Sequence, residues 1–159
     1  MTSASTRNSH HHGNLKKALI EAGMDLLSEG GLEALTLRKC AARAGVSHAA
    51  PAHHFDGLKG LLTAIVTKGF RIFTRSMTDH RDAADNTPHA RLAGICDGYL
   101  DFAQKYEAVV TLMFMNDRIN TEDADFQTAS SASYEVLATT CAPFRTGNAG
   151  HKGVEILVW

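Results

Sequence analysis

The stretch AGVSHAAPAHHF, Ala44 to Phe55, decides how this chain is read. Gly45 suits the left-handed end of a helix, Val46 can plug a core, and Ser47 can cap a helix that follows. Pro51 then falls in the first turn of that helix, where most N–H groups have no helical partner and proline costs little. Upstream, Thr36 can cap a short helix from Leu37 to about Ala44, with Leu37, Cys40, Ala41 and Ala44 on one side. Helix, short glycine turn, helix is the helix-turn-helix pattern. The outward side of its second helix would carry histidines and alanines rather than bulky side chains.

Working outward, Leu15, Ala18, Leu19, Ala22 and Leu26 have the spacing of a helix with one buried stripe. Asn14 is its expected N-cap and Gly30-Gly31 its stop. Downstream, a long helix is expected from Leu58 to about Met77, with Leu58, Leu61, Leu62, Ile65, Ile72 and Phe73 on its apolar side. DHRDAADNTPHA breaks that pattern, and Pro88 can open the next helix, through Leu92, Ile95, Cys96, Tyr99 and Ala103. An apolar stretch at 109–115, a polar loop NDRINTED, a helix from about Asp123 to Thr140, a loop CAPFRTGNAG and the start of a last helix, VEILVW, complete the reading. No strand-like alternation and no repeat stands out, so the expected fold is all-α.

The formal net charge of −1 hides a division. Met1 to Arg75 holds ten Lys or Arg against five Asp or Glu, whereas Ser76 to Trp159 holds six against twelve. Six of the nine histidines also lie in the basic half, which fits a polyanionic partner, although a solvated basic face has the same composition. Nothing approaches the roughly 18 apolar residues of a membrane span, and the N-terminus lacks the apolar segment of a secretory signal, so a cytoplasmic location is expected. Cys40, Cys96 and Cys141 are odd in number and far apart, and read as buried free thiols rather than a disulfide or metal framework.

Residues 11–70 resemble the DNA-binding domain of the TetR/AcrR family of transcriptional regulators, through GLEALTLR before the second helix, AGVS at the turn and HF after it. The resemblance implies a flexible arm at 1–10, a three-helix DNA-binding domain at 11–70 and, joined to it by a long helix, a helical ligand-binding and dimerisation domain at 71–159. His10–His12 invite the reading of an expression tag, but family members with HHGNL at this point are common. A branch of the family carries a motif like VVTLMF and, later, WSxxHG; this chain stops at Trp159, the first letter of the latter. By that resemblance the helices that build the dimer interface lie beyond it.

The resemblance also implies site residues. His48, Ala49 and Ala50 would face base edges, the histidine through a ring nitrogen and the alanines through methyl contact with thymine. Arg38 is the candidate for a two-point contact to guanine, against the plainer reading of a surface arginine paired with an acid. Thr36, Ser47, His53, His54 and Lys59 are placed for phosphate oxygens, with His54 equally readable as packing on Phe55. Ala52 and Leu58 stand where the family usually has a tyrosine and a lysine that grip the DNA backbone; Lys59 can partly stand in for the lysine. The resemblance implies a homodimer on a double-stranded DNA operator, reading a palindrome with half-sites about one helical turn apart, and a small-molecule effector that releases it. Repression is the family default. Candidate effector-lining residues are Phe73, Tyr99, Phe102, Tyr106, Met113, Phe114 and Tyr134, although each is more readily explained as plain core.

Other classes find less. There is no GxSxG, P-loop, HExxH or spaced Cys–His pair, so an enzyme is not expected, and no cofactor or metal site is indicated. A metal-responsive regulator would need His80, His89 or His151 to converge, and a helical interaction protein with weakened DNA binding would fit the missing tyrosine.

Overall fold

The computed structural model describes residues 6–144, with side chains described from Asn14 onward. The described residues are helical and contain no strand. The elements are α1 (Thr6–Ala34), α2 (Leu37–Arg43), a 3-10 turn (Ala50–His53), α3 (Gly57–Ala83), α4 (Pro88–Lys105), α5 (Glu107–Met113), a second short turn (Asn116–Arg118), α6 (Ala124–Cys141) and a last turn (Ala142–Phe144). The helix expected at VEILVW and the motif expected to open at Trp159 lie outside the described residues.

Three boundaries differ from expectation for local reasons. α1 begins at Thr6, so Asn14 lies within the helix instead of capping it. No proline interrupts this stretch, and an interior glycine such as Gly13 costs a helix about 1 kcal/mol without stopping it. The stop at Gly30-Gly31 is realised as a sharp break, Gly31 having φ 68°, after which one more helical turn reaches Ala34. α3 continues to Ala83, and its last turn holds His80 and Arg81, cations that the negative end of the helix dipole favours.

The described chain divides into two compact units. One takes the chain to Gly69 together with Tyr106–Phe126; the other takes Phe70–Lys105 and the chain from Gln127. In the first, Leu19, Leu27, Leu35, Cys40, Leu61 and Ile65 are fully buried. α1 and α3 approach closely because Gly23 has no side chain: a Cβ there would meet Ile65 Cδ1 at 2.7 Å. An ion pair between Glu21 and Lys68 joins the same two helices at the surface. The loop after α5 is tied to α3 by the Asn120 N–H, which donates to Thr63 Oγ1 at 2.8 Å while that hydroxyl donates to the Lys59 carbonyl. Leu58, expected on the apolar side of α3, is 37% exposed at its first turn.

In the second unit α4 packs on α3 at backbone distance. A Cβ on Gly98 would lie 2.5 Å from the Ser76 carbonyl oxygen, and one on Gly94 2.7 Å from that of His80. The Ser76 hydroxyl donates to the Gly98 carbonyl at 2.8 Å. α6 joins α3 through Thr74 and Ser133, whose hydroxyls are 2.6 Å apart. Cys40 is buried and burial raises its thiol pKa, but Cys96 is exposed and Cys141 only partly covered, which corrects the expectation of three buried thiols.

His80 bridges α3 and α4. Its Nδ1 lies 2.9 Å from the Ser76 carbonyl and its Nε2 2.9 Å from Asp101 Oδ2; both partners accept, so the arrangement suits the protonated ring, which can donate from both nitrogens. The Ser76 hydrogen bond, with Asp101 and Asp97 adding to it against some desolvation, raises the His80 pKa above the ordinary 6.5. A raised folded-state value gives a stabilising contribution that is complete below about pH 6.5 and is lost as pH rises through the folded-state value. Urea midpoints of the parent chain and of His80→Gln are therefore expected to differ at pH 6 and converge in alkaline solution. A constant difference from pH 6 to 9 would show that His80 acts through packing alone.

Candidate functional site

α2 is closed at both ends by local bonds. Thr36, extended at φ −136°, accepts the Lys39 N–H on its Oγ1 at 3.2 Å. At the other end Gly45 takes φ 67°, its N–H donates to Ala42 O at 3.2 Å, and the Val46 N–H donates to Ala41 O at 3.0 Å. This paired closure is the Schellman arrangement, which needs a left-handed residue that glycine supplies without strain.

The element after the turn is where sequence expectation and structure part. The α-helix expected from Ser47 is a 3-10 turn at Ala50–His53, preceded by Ala49, which has no side-chain oxygen for a cap. Its bonds run Ala50 N–H to Ser47 O (3.0 Å), Ala52 N–H to Ala49 O (3.2 Å) and His54 N–H to Pro51 O (3.0 Å). The cause is Pro51. It has no N–H to offer the Ser47 carbonyl, and its ring disfavours helical backbone at Ala50. The Phe55 N–H returns to Pro51 O at 2.9 Å, and buried Phe55 anchors the far end.

Ser47, His48, Ala49, Ala52 and His53 form the exposed side of this turn, and Thr36, Arg38 and Lys59 are exposed on the neighbouring helices and cap. Ala50 is the correction: it is 8% exposed and, like the neighbouring Pro51, is buried. His54 is half-buried with its ring 6.4 Å from that of Phe55. The Arg38 side chain has no hydrogen-bond or ion-pair partner among the described residues, and Lys39 beside it is exposed as well.

One feature leaves no signal in the sequence. Arg43, in the last turn of α2, holds Glu29 with a two-point fork, Nη1 to Oε1 at 2.8 Å and Nη2 to Oε2 at 2.6 Å. The donated hydrogen bonds keep the Glu29 carboxyl below its usual range. The fork spans the loop between α1 and α2, so this guanidinium positions α2 instead of reaching outward. Fourteen residues separate the partners, and no local spacing rule joins them.

The candidate effector-lining residues fall in both units. Phe73 and Phe102 are buried with ring centroids 5.1 Å apart, and Tyr99 meets Phe73 edge-on at 5.3 Å while remaining 38% exposed. Tyr134 belongs to the same unit and is half-buried. Tyr106, Met113 and Phe114 belong to the other unit, and Phe114 is 61% exposed. Among the described residues no three His, Cys, Asp or Glu side chains are grouped to hold a metal. His89 packs on the Phe144 ring at 5.0 Å. No described helix is long and apolar enough to cross a membrane.

The family model for bacterial regulatory proteins of the tetR family matches residues 19–65, from the first buried leucine of α1 through the turn to the middle of α3. Over residues 19–65 the chain is similar to the tetR family. The chain is similar to the HTH-type transcriptional regulator BetI of Yersinia pestis (strain Pestoides F), 34% identical over 90 residues that make up 56% of this chain and 46% of that protein. BetI of Burkholderia thailandensis is 34% identical over 86 residues, 54% of this chain and 44% of the relative. The matches thus span about half the length of these curated relatives. Among solved structures, a protein of unknown function from Rhodococcus sp. RHA1 superposes with TM-score 0.73 and 28% identity, over 88% of this chain and 71% of that one. A TetR family transcription regulator from Marinobacter aquaeolei VT8 superposes with TM-score 0.63 and 13% identity, over 85% and 72%, which speaks to the fold alone. The likeness in fold therefore runs well past residues 19–65.

Proposed function

We propose that this chain is a DNA-binding transcriptional regulator, not an enzyme, acting in the cytoplasm as a homodimer on a palindromic operator. The observation that carries the proposal is the match of the tetR family model to the residues that build α2, its glycine closure and the exposed turn. In this reading residues 11–70 are the DNA-binding domain, and residues 71–159 belong to the effector-binding and dimerisation domain. Repression relieved by a small effector is the corresponding mode of action. Arg38, His48 and Ala49 meet base edges, and Thr36, Ser47, His53, His54 and Lys59 meet phosphates, which fix register without reading sequence. Ala52 adds no anchor.

The test is selection of bound duplexes from a random pool by the full-length protein. A palindromic sequence is the expected product. Failure to enrich any sequence would favour the second reading, an interaction protein that kept the fold, for which the small Ala52 in the tyrosine position is the specific argument.

Charge at the histidines gives a further expectation. Phosphate proximity favours imidazolium, so operator affinity at constant salt is expected to rise as pH falls from about 8 to 6. Fluorescence anisotropy across that interval measures it, and a flat profile would remove histidine charge from the binding account.

A further inference from the structure

The exposed side of the turn offers an unusual chemical inventory. Side chains that make two-point hydrogen bonds to a base edge are arginine, lysine, asparagine and glutamine. None occurs between Ser47 and His54. His48 and His53 can each bring a single ring nitrogen to an edge, and Ser47 a single hydroxyl. The remaining exposed groups are the methyls of Ala49 and Ala52. In a 3-10 turn, side chains three apart lie one above the other, and the Ala52 N–H bond to Ala49 O at 3.2 Å places these two in that relation. Ala50, the other alanine of the run, is turned inward and takes no part.

We infer that this turn discriminates bases mainly through the C5-methyl of thymine, packed against Ala49 with Ala52 above or below it, and that two-point hydrogen bonding is left to Arg38 on α2. The inference rests on the DNA-binding reading, since the family frame is what puts the turn against a duplex; the chemistry it names is separate from that reading. Thymine is the only base of DNA that shows a methyl in the major groove, so a methyl contact tells T·A from A·T and from either G·C orientation. The low profile of two alanines lets the backbone come close enough for the contact. A longer side chain at 49 would hold the turn off.

Thymine-to-uracil replacement isolates the methyl, because the hydrogen-bonding edge is unchanged. With an enriched operator in hand, each thymine is replaced in turn by uracil and binding of the full-length protein is measured at fixed salt and pH. At one thymine in each half-site the loss is expected to be about fourfold per half-site, the worth of one buried methyl-sized group. Ala49→Gly is expected to bind the thymine and uracil duplexes alike. If the parent protein tolerates uracil at every position, or if Ala49→Gly keeps the full preference for thymine, methyl reading by Ala49 is wrong while DNA binding stands. A pool that enriches nothing removes both, and the two failures are told apart by the first step.

Discussion

Ile65→Ala is expected to destabilise the first unit by about 2–5 kcal/mol, the range for removing a large buried aliphatic side chain. The loss belongs in the upper part of that range for a geometric reason. Ile65 is 0% exposed, and its Cδ1 fills the space left by Gly23 across the α1–α3 contact. The cavity would therefore be bounded by helix backbone, which collapses poorly. The same geometry predicts a coupling. Gly23→Ala alone brings a Cβ to 2.7 Å from Ile65 Cδ1, the far end of one side chain, and so Ile65→Val, which removes that atom, should relieve it. Urea denaturation of the two single variants and the double variant measures this, and additive losses would mean the contact is not the source of the strain.

Gly98→Ala is expected to destabilise the second unit by about 1–3 kcal/mol or more, the usual range for overpacking. The obstacle here is main chain: the new Cβ would lie 2.5 Å from Ser76 O, 2.7 Å from Ser76 C and 2.8 Å from Met77 Cα. No trimming of a neighbouring side chain can make room, so α4 must move away from α3 and the Ser76 hydroxyl bond to Gly98 O must lengthen. Thermal unfolding followed by circular dichroism tests it. A Gly98→Ala chain as stable as the parent would mean that the crossing is looser than described.

The legibility of the sequence varies with the range of the forces involved. Thr36 as a cap, Gly45 as a left-handed closure and Pro88 as a helix start are decided within a few residues, and all three occur where expected. The turn at Ala50–His53 is harder to read because two local rules compete there, serine cap against proline ring, and the sequence satisfies both while the geometry satisfies one. The burial of Ala50 is equally hidden from a periodicity argument, since Ser47 and His53, three residues to either side, are both exposed. Contacts between distant segments, such as Glu29 with Arg43, Thr74 with Ser133 and Asn120 with Thr63, leave no trace in spacing. Cys96 shows the same limit, since apolar neighbours in sequence do not make it buried.

The self-contained closure of α2 has a consequence for how the helix takes substitution. Because its ends are tied by Thr36, which takes the Lys39 N–H, and by the Gly45 closure, the helix depends little on the identity of the exposed side chains of Arg38, Lys39 and Ala42 that lie between. Exchanges at those exposed positions are therefore expected to leave the fold of the first unit in place.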